Sequence, residues 1–133
     1  MTGADTGRVA RTIESALLDD STLGALYEDF ASTGDLPEFA ELIGSFLDRC
    51  AEQLERVATA VAVGDPAAIH DTAHKLKGSA RTLGAGRLGM VAAAIEAASD
   101  ARDVATARAL MTDMRETFLA SHAALEAYRA RFA

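Results

Sequence analysis

A chain of 133 residues can bury one hydrophobic core and is short for two domains. Its formal charge of −7 argues against a duplex nucleic-acid binder, because phosphate contacts need a basic face. A single cysteine excludes an internal disulfide, and no apolar run approaches the roughly 20 residues that cross a bilayer. The first residues do not show a basic stretch followed by an apolar core, so we expect a cytoplasmic protein.

Apolar residues recur at spacings of three and four along the chain, which is the period of amphipathic helices. Together with the positions of glycine and proline, these stripes predict helices over residues 7–19, 23–34, 35–64, 66–83, 88–100 and 103–133. We therefore predict an all-α fold, an antiparallel up-down-up-down four-helix bundle preceded by one or two short helices. Residues 1–20 would form an N-terminal extension, and residues 21–133 the bundle.

The helix predicted over residues 66–83 has two contrasting faces, at about 100° per residue. Its apolar face carries Ile69, Thr72, Ala73, Leu76, Ala80 and Leu83. His74 lies opposite that face and is predicted to point into solvent. The residues around His74 are His70, Asp71, Lys77, Gly78 and Arg81.

Two neighbours of His74 favour phosphoryl chemistry. Gly78 lies one helical turn later and costs roughly 1 kcal/mol relative to alanine, but it leaves space beside the imidazole. Lys77, on the same turn, can bring an ammonium group to anything attached to the ring. A nucleophilic imidazole that accepts a phosphoryl group needs both steric access and a cation for the added negative charge.

The segment His74-Lys75-Leu76-Lys77-Gly78-Ser79-Ala80, followed by Leu83-Gly84-Ala85, closely resembles the signature of histidine-containing phosphotransfer (HPt) domains. The resemblance extends less specifically from about Leu36 to Ala133. It implies a four-helix bundle that relays phosphoryl groups between receiver-domain aspartates in a two-component phosphorelay. The expected partners are receiver domains of response regulators or a hybrid histidine kinase. The chain would act as a monomeric carrier without catalysis or cofactor of its own, with Mg²⁺ on the receiver.

The resemblance also implies a role for individual residues. His74 would accept the phosphoryl group through its outer ring nitrogen, Lys77 would stabilise that group, and Gly78 would provide clearance. His70, Ser79 and Arg81 are candidates for the docking surface, with Ser79 acting mainly in packing. Glu96, on the next helix, is a candidate for orienting the imidazole, but the sequence does not place it.

Several other functions fit parts of the sequence less well. His70 and His74 have the spacing of a metal-binding pair and Asp71 is nearby, but Ala73 stands where a glutamate beside the second histidine would be, so we predict no metal site. Residues 84–89 spell G-x-G-x-x-G without the strand that a dinucleotide site requires. A helical adaptor that binds a receiver or kinase without being phosphorylated is the main alternative function. A dimerising phosphoacceptor domain of a kinase is disfavoured by the pair Lys77 and Gly78.

Overall fold

A computed structural model describes residues 17–132, which form five helices and contain no strand. The helices are α1 (Asp20–Thr33), α2 (Leu36–Val63), α3 (Pro66–Leu83), α4 (Gly86–Asp100) and α5 (Val104–Arg129). Connections of two or three residues join consecutive helices, so each of α3 to α5 runs antiparallel to its predecessor. Helix α2 also packs against α5, which closes the four-helix bundle, while the shorter α1 packs against α2 and α3. The predicted all-α bundle is confirmed.

The bundle core is built from the apolar stripes of the four long helices. Fully buried large side chains come from every one of them, for example Phe39, Ile69, Ile95 and Met114. Cys50 is also completely buried among these groups, and burial raises the pKa of its thiol to about 11. The thiol is therefore protonated at neutral pH and belongs to the core, as its place on an apolar stripe predicts.

The turn between α3 and α4 requires glycine for two reasons. Gly84 has a φ of +83°, a left-handed conformation that side chains with a Cβ rarely adopt. A Cβ there would also lie 2.9 Å from Cγ of Leu23, which α1 places against the turn. The carbonyl of Gly84 accepts a hydrogen bond of 2.7 Å from the backbone N–H of Asp19. This turn therefore holds the start of α1 against the bundle.

At both ends of the described residues, the helices differ from those that the sequence predicts. Most of the helix predicted over residues 7–19 lies outside the described residues, but residues 17–19 are not helical. Asp19 instead caps α1, and its carboxylate accepts hydrogen bonds from the N–H groups of Ser21 and Thr22. At the other end, α5 stops at Arg129, and residues 130–132 form a hydrogen-bonded turn. The ring of Phe132 lies 5.4 Å from that of Phe39. The last helix is therefore shorter than predicted at its C-terminal end.

None of the helices in the described part of the chain is both long enough and apolar enough to cross a membrane.

Candidate functional site

His74 lies in the middle of α3 and points away from the bundle. Its side chain is 62% exposed, whereas Ile69, Ala73 and Leu76 on the opposite face are completely buried. The amphipathic pattern of α3 fixes this orientation, because the apolar face must enter the core. The structure thus confirms that His74 is a surface histidine. The orientation of its imidazole depends on a side chain of the neighbouring helix.

Glu96 of α4 holds the imidazole of His74. The Nδ1 atom of His74 lies 2.6 Å from Oε2 of Glu96, whose side chain is only 12% exposed. A carboxylate can only accept this hydrogen bond, so Nδ1 carries the proton of the neutral ring. Nε2 then has the free lone pair. The sequence named Glu96 as a candidate for this role, and the structure brings it into contact with His74.

Lys77 binds the second oxygen of the same carboxylate. Its Nζ donates a 2.5 Å hydrogen bond to Oε1 of Glu96, and its side chain is 19% exposed. This hydrogen bond is the main cause that lowers the pKa of Glu96, and the hydrogen bond from His74 acts in the same direction against the effect of desolvation. Glu96 is therefore ionised at neutral pH and accepts hydrogen bonds from both His74 and Lys77.

The surface beside His74 is open at Gly78. A Cβ added at Gly78 would meet no atom within 4 Å, apart from the backbone of its own helix and its chain neighbours. Of the other predicted docking residues, Ser79 is half-buried and Arg81 is exposed. The clearance that the sequence predicts at Gly78 is thus present in the folded chain.

His70 lies one turn before His74, and their rings are nearly parallel, with centroids 5.9 Å apart. Its Nδ1 donates a 2.8 Å hydrogen bond to Oδ1 of Asp100 at the end of α4. Its Nε2 lies 3.8 Å from Oε2 of Glu96. Asp100 was not predicted from the sequence. A signal was present, because His70 and Asp100 are nearly equally distant in sequence from the turn at Gly84, as are His74 and Glu96.

The sequence model of the Hpt domain family matches residues 41–130. The chain belongs to this family. It is also similar to a crystal structure of histidine-containing phosphotransfer protein B (HptB) from Pseudomonas aeruginosa PAO1. The two are 26% identical with a TM-score of 0.79, over 88% of this chain and 97% of that one. No curated protein matches the sequence.

The Hpt chain is therefore a histidine phosphotransfer protein of phosphorelay signalling, as its sequence predicts. Hpt domains pass phosphoryl groups among the proteins of two-component systems. The family match begins at residue 41, so the domain boundary placed at residue 20 stays a prediction.

Proposed function

We propose that His74 accepts the phosphoryl group and relays it between aspartates of receiver domains, in response regulators or a hybrid histidine kinase. The hydrogen bond from Nδ1 of His74 to Glu96 carries this proposal. It fixes the tautomer in which Nε2 has the lone pair, on a side chain that is 62% exposed. The open space at Gly78 gives a partner access to the same surface.

The transfer itself needs only a nucleophile and a place for the charge that develops. The Nε2 lone pair attacks the phosphorus of an aspartyl phosphate in line with the bond to the aspartate oxygen. That P–O bond breaks, and the aspartate leaves as a carboxylate. The imidazole ring becomes positive, with its proton still on Nδ1, and the ionised Glu96 stabilises that charge. Attack by a second receiver aspartate on the phosphohistidine reverses these steps.

Lys77 has further N–H donors that can bind the transferred phosphoryl group. An ammonium group offers three N–H donors, and the contact with Glu96 uses one of them. Since Glu96 links Lys77 to His74, the lysine is held next to the ring that would carry the phosphoryl group. The remaining donors can stabilise the phosphoryl oxygens through charge-assisted hydrogen bonds.

The partner supplies the rest of the machinery in this proposal. The receiver docks over α3, where His70, Ser79 and Arg81 contribute to the contact, and it carries the Mg²⁺ ion that the transfer requires. The carrier has no cofactor and no catalytic activity of its own, and it acts as a monomer in the cytoplasm. The exposed Arg81 supports docking to an acidic receiver pocket through charge complementarity.

A labelling experiment tests His74 directly. Phosphorylated receiver domains are mixed with the wild-type chain, with His74→Gln, and with His122→Gln as a matched control on α5. We expect acid-labile, base-stable label on the wild type and on His122→Gln, and none on His74→Gln. Label retained by His74→Gln would place the acceptor elsewhere. No label on a wild type that circular dichroism shows to be folded, from any of a panel of receivers, would favour the adaptor function.

A further inference from the structure

The contact between α3 and α4 assembles three metal-binding side chains. One ligand atom each from His70, His74 and Glu96 lies within 4.8 Å of the other two. The sequence predicts no metal site, because Ala73 stands where a glutamate beside His74 would be. The structure provides that residue from α4. We propose that His70, His74 and Glu96 form a Zn²⁺ site, and that zinc bound there prevents phosphorylation of His74.

The separations between the ligand atoms are close to those of a zinc site. Zinc–nitrogen and zinc–oxygen bonds of 2.0–2.2 Å in a tetrahedron place neighbouring ligand atoms about 3.3 Å apart. Oε2 of Glu96 lies 3.8 Å from Nε2 of His70 and 2.6 Å from Nδ1 of His74. One of these separations must shrink and the other grow by about half an ångström or slightly more. The two histidine nitrogens lie within 4.8 Å of each other, and their nearly parallel rings must tilt toward a common point to share one ion.

Asp100 orients the first of these ligands independently of the other two. Its carboxylate accepts the proton on Nδ1 of His70, which leaves the lone pair on Nε2, the atom that lies nearer Glu96. A carboxylate behind a histidine ligand is the usual outer partner in zinc proteins, where it fixes the tautomer. Two histidines and one glutamate also form a known zinc donor set that leaves the fourth position for water.

Lys77 sets a limit on the affinity of this site. It binds Oε1 of Glu96, so Oε2 remains as the one oxygen that can bind zinc. Its positive charge lies close to the metal position and weakens binding. The site is therefore suited to reversible occupancy.

The competition follows from the tautomer of His74 and rests on the proposed function. Without zinc, Nδ1 carries the proton and Nε2 is the nucleophile. Zinc takes the lone pair of Nδ1, so the single proton of the neutral ring moves to Nε2. No net proton is released from the imidazole, but Nε2 loses the lone pair that attacks phosphorus. A zinc-bound His74 is thus blocked even though its outer nitrogen still faces solvent.

Calorimetric titration with a zinc salt alone tests the site. We expect one Zn²⁺ per chain, an affinity at least tenfold lower for His70→Gln, and no change for His122→Gln. Circular dichroism checks that each variant is folded, and Asp100→Asn, expected to weaken binding about tenfold or more, serves if His70→Gln does not fold. Absence of one-to-one binding, or equal affinity in the wild type and the site variant, would overturn the proposal.

Receiver labelling with and without zinc tests the competition, and each variant is compared with its own zinc-free rate. Zinc should suppress labelling of the wild type and His122→Gln but not of His70→Gln. Equal suppression of His70→Gln would place the effect on the receiver and refute competition, as would full labelling of zinc-saturated wild type. If zinc-free wild type is not labelled, the proposed function fails instead. In that case nitrogen NMR of His74 tests the zinc site by itself, because it shows which ring nitrogen binds the metal. Zinc bound through Nε2 would contradict the proposal.

Discussion

At Gly78, the requirements of the fold differ from those of the proposed site. Glycine in an exposed helix interior costs roughly 1 kcal/mol relative to alanine. The fold does not require it, since a Cβ at this position meets nothing within 4 Å. At Gly44, in contrast, a Cβ would have to displace the guanidinium group of Arg129, which donates a hydrogen bond to the carbonyl of Ala40. The packing of the bundle therefore does not require glycine at position 78, and we propose that its open space serves a partner.

Substitutions of Gly78 should move stability and transfer in opposite directions. Gly78→Ala is expected to raise the free energy of unfolding by about 1 kcal/mol. Gly78→Leu should fold but slow transfer from a receiver about tenfold or more, because the side chain obstructs the approach to His74. Urea denaturation and the rate of labelling measure the two effects. Gly24→Leu on α1, where a Cβ also meets nothing within 4 Å, is the control. Wild-type transfer by Gly78→Leu would refute the clearance role.

At the scale of the helix, the starts of α2 and α3 look alike in sequence but are capped differently. Asp35 precedes α2 and Asp65 precedes α3, and each helix has a proline in its first turn. The carboxylate of Asp65 accepts a 3.1 Å hydrogen bond from the N–H of Ala67. Asp35 makes no such bond, because Pro37 stands at the equivalent position and has no N–H to donate.

This difference predicts unequal effects of the two aspartates on stability. Asp65→Ala should lower the free energy of unfolding by about 1 kcal/mol, the usual effect of removing a capping hydrogen bond. Asp35→Ala should have a clearly smaller effect, since no capping hydrogen bond is lost. Urea denaturation followed by circular dichroism measures both. An equal loss in the two variants would mean that the capping bond of Asp65 contributes little.

For the whole molecule, ionised carboxylates tie helices together and make stability depend on pH. Glu96 joins α3 to α4 through Lys77 and His74, and Glu55 of α2 contacts Arg115 of α5. The pKa of Glu96 is lowered, chiefly by the hydrogen bond from Lys77, and that of Glu55 by the one from Arg115. A lowered pKa in the folded state means that the unfolded chain binds more protons near that pH.

Acid should therefore weaken the bundle, and Glu96 should account for part of the loss. Its contribution is complete above the ordinary glutamate pKa of 4.5 and disappears as the pH falls through the lower value of the folded state. The urea midpoint should decrease below about pH 4.5, and less steeply in Glu96→Gln than in the wild type. Glu52→Gln, an exposed glutamate of α2, is the control. Identical acid profiles for the wild type and Glu96→Gln would refute this contribution.

The helices and the exposure of His74 could be derived from the sequence because both depend on short-range periodicity. Apolar residues three and four apart determine which face of α3 is buried, and His74 lies opposite that face. The motif around Gly78 then indicated phosphoryl chemistry. The ends of the terminal helices could not be derived in this way, since contacts such as that of Phe132 with Phe39 join distant parts of the chain.

Only the tertiary structure decided which groups surround His74. Glu96 and Asp100 belong to α4, and their distances to the histidines of α3 depend on how the two helices are rotated and shifted against each other. Lys77, which the sequence places within reach of a phosphoryl group on His74, is also bound to Glu96. The zinc site that we propose arises in the same way. The local sequence pattern determines which residues of a helix are exposed, whereas the packing of the helices determines which side chains those residues contact.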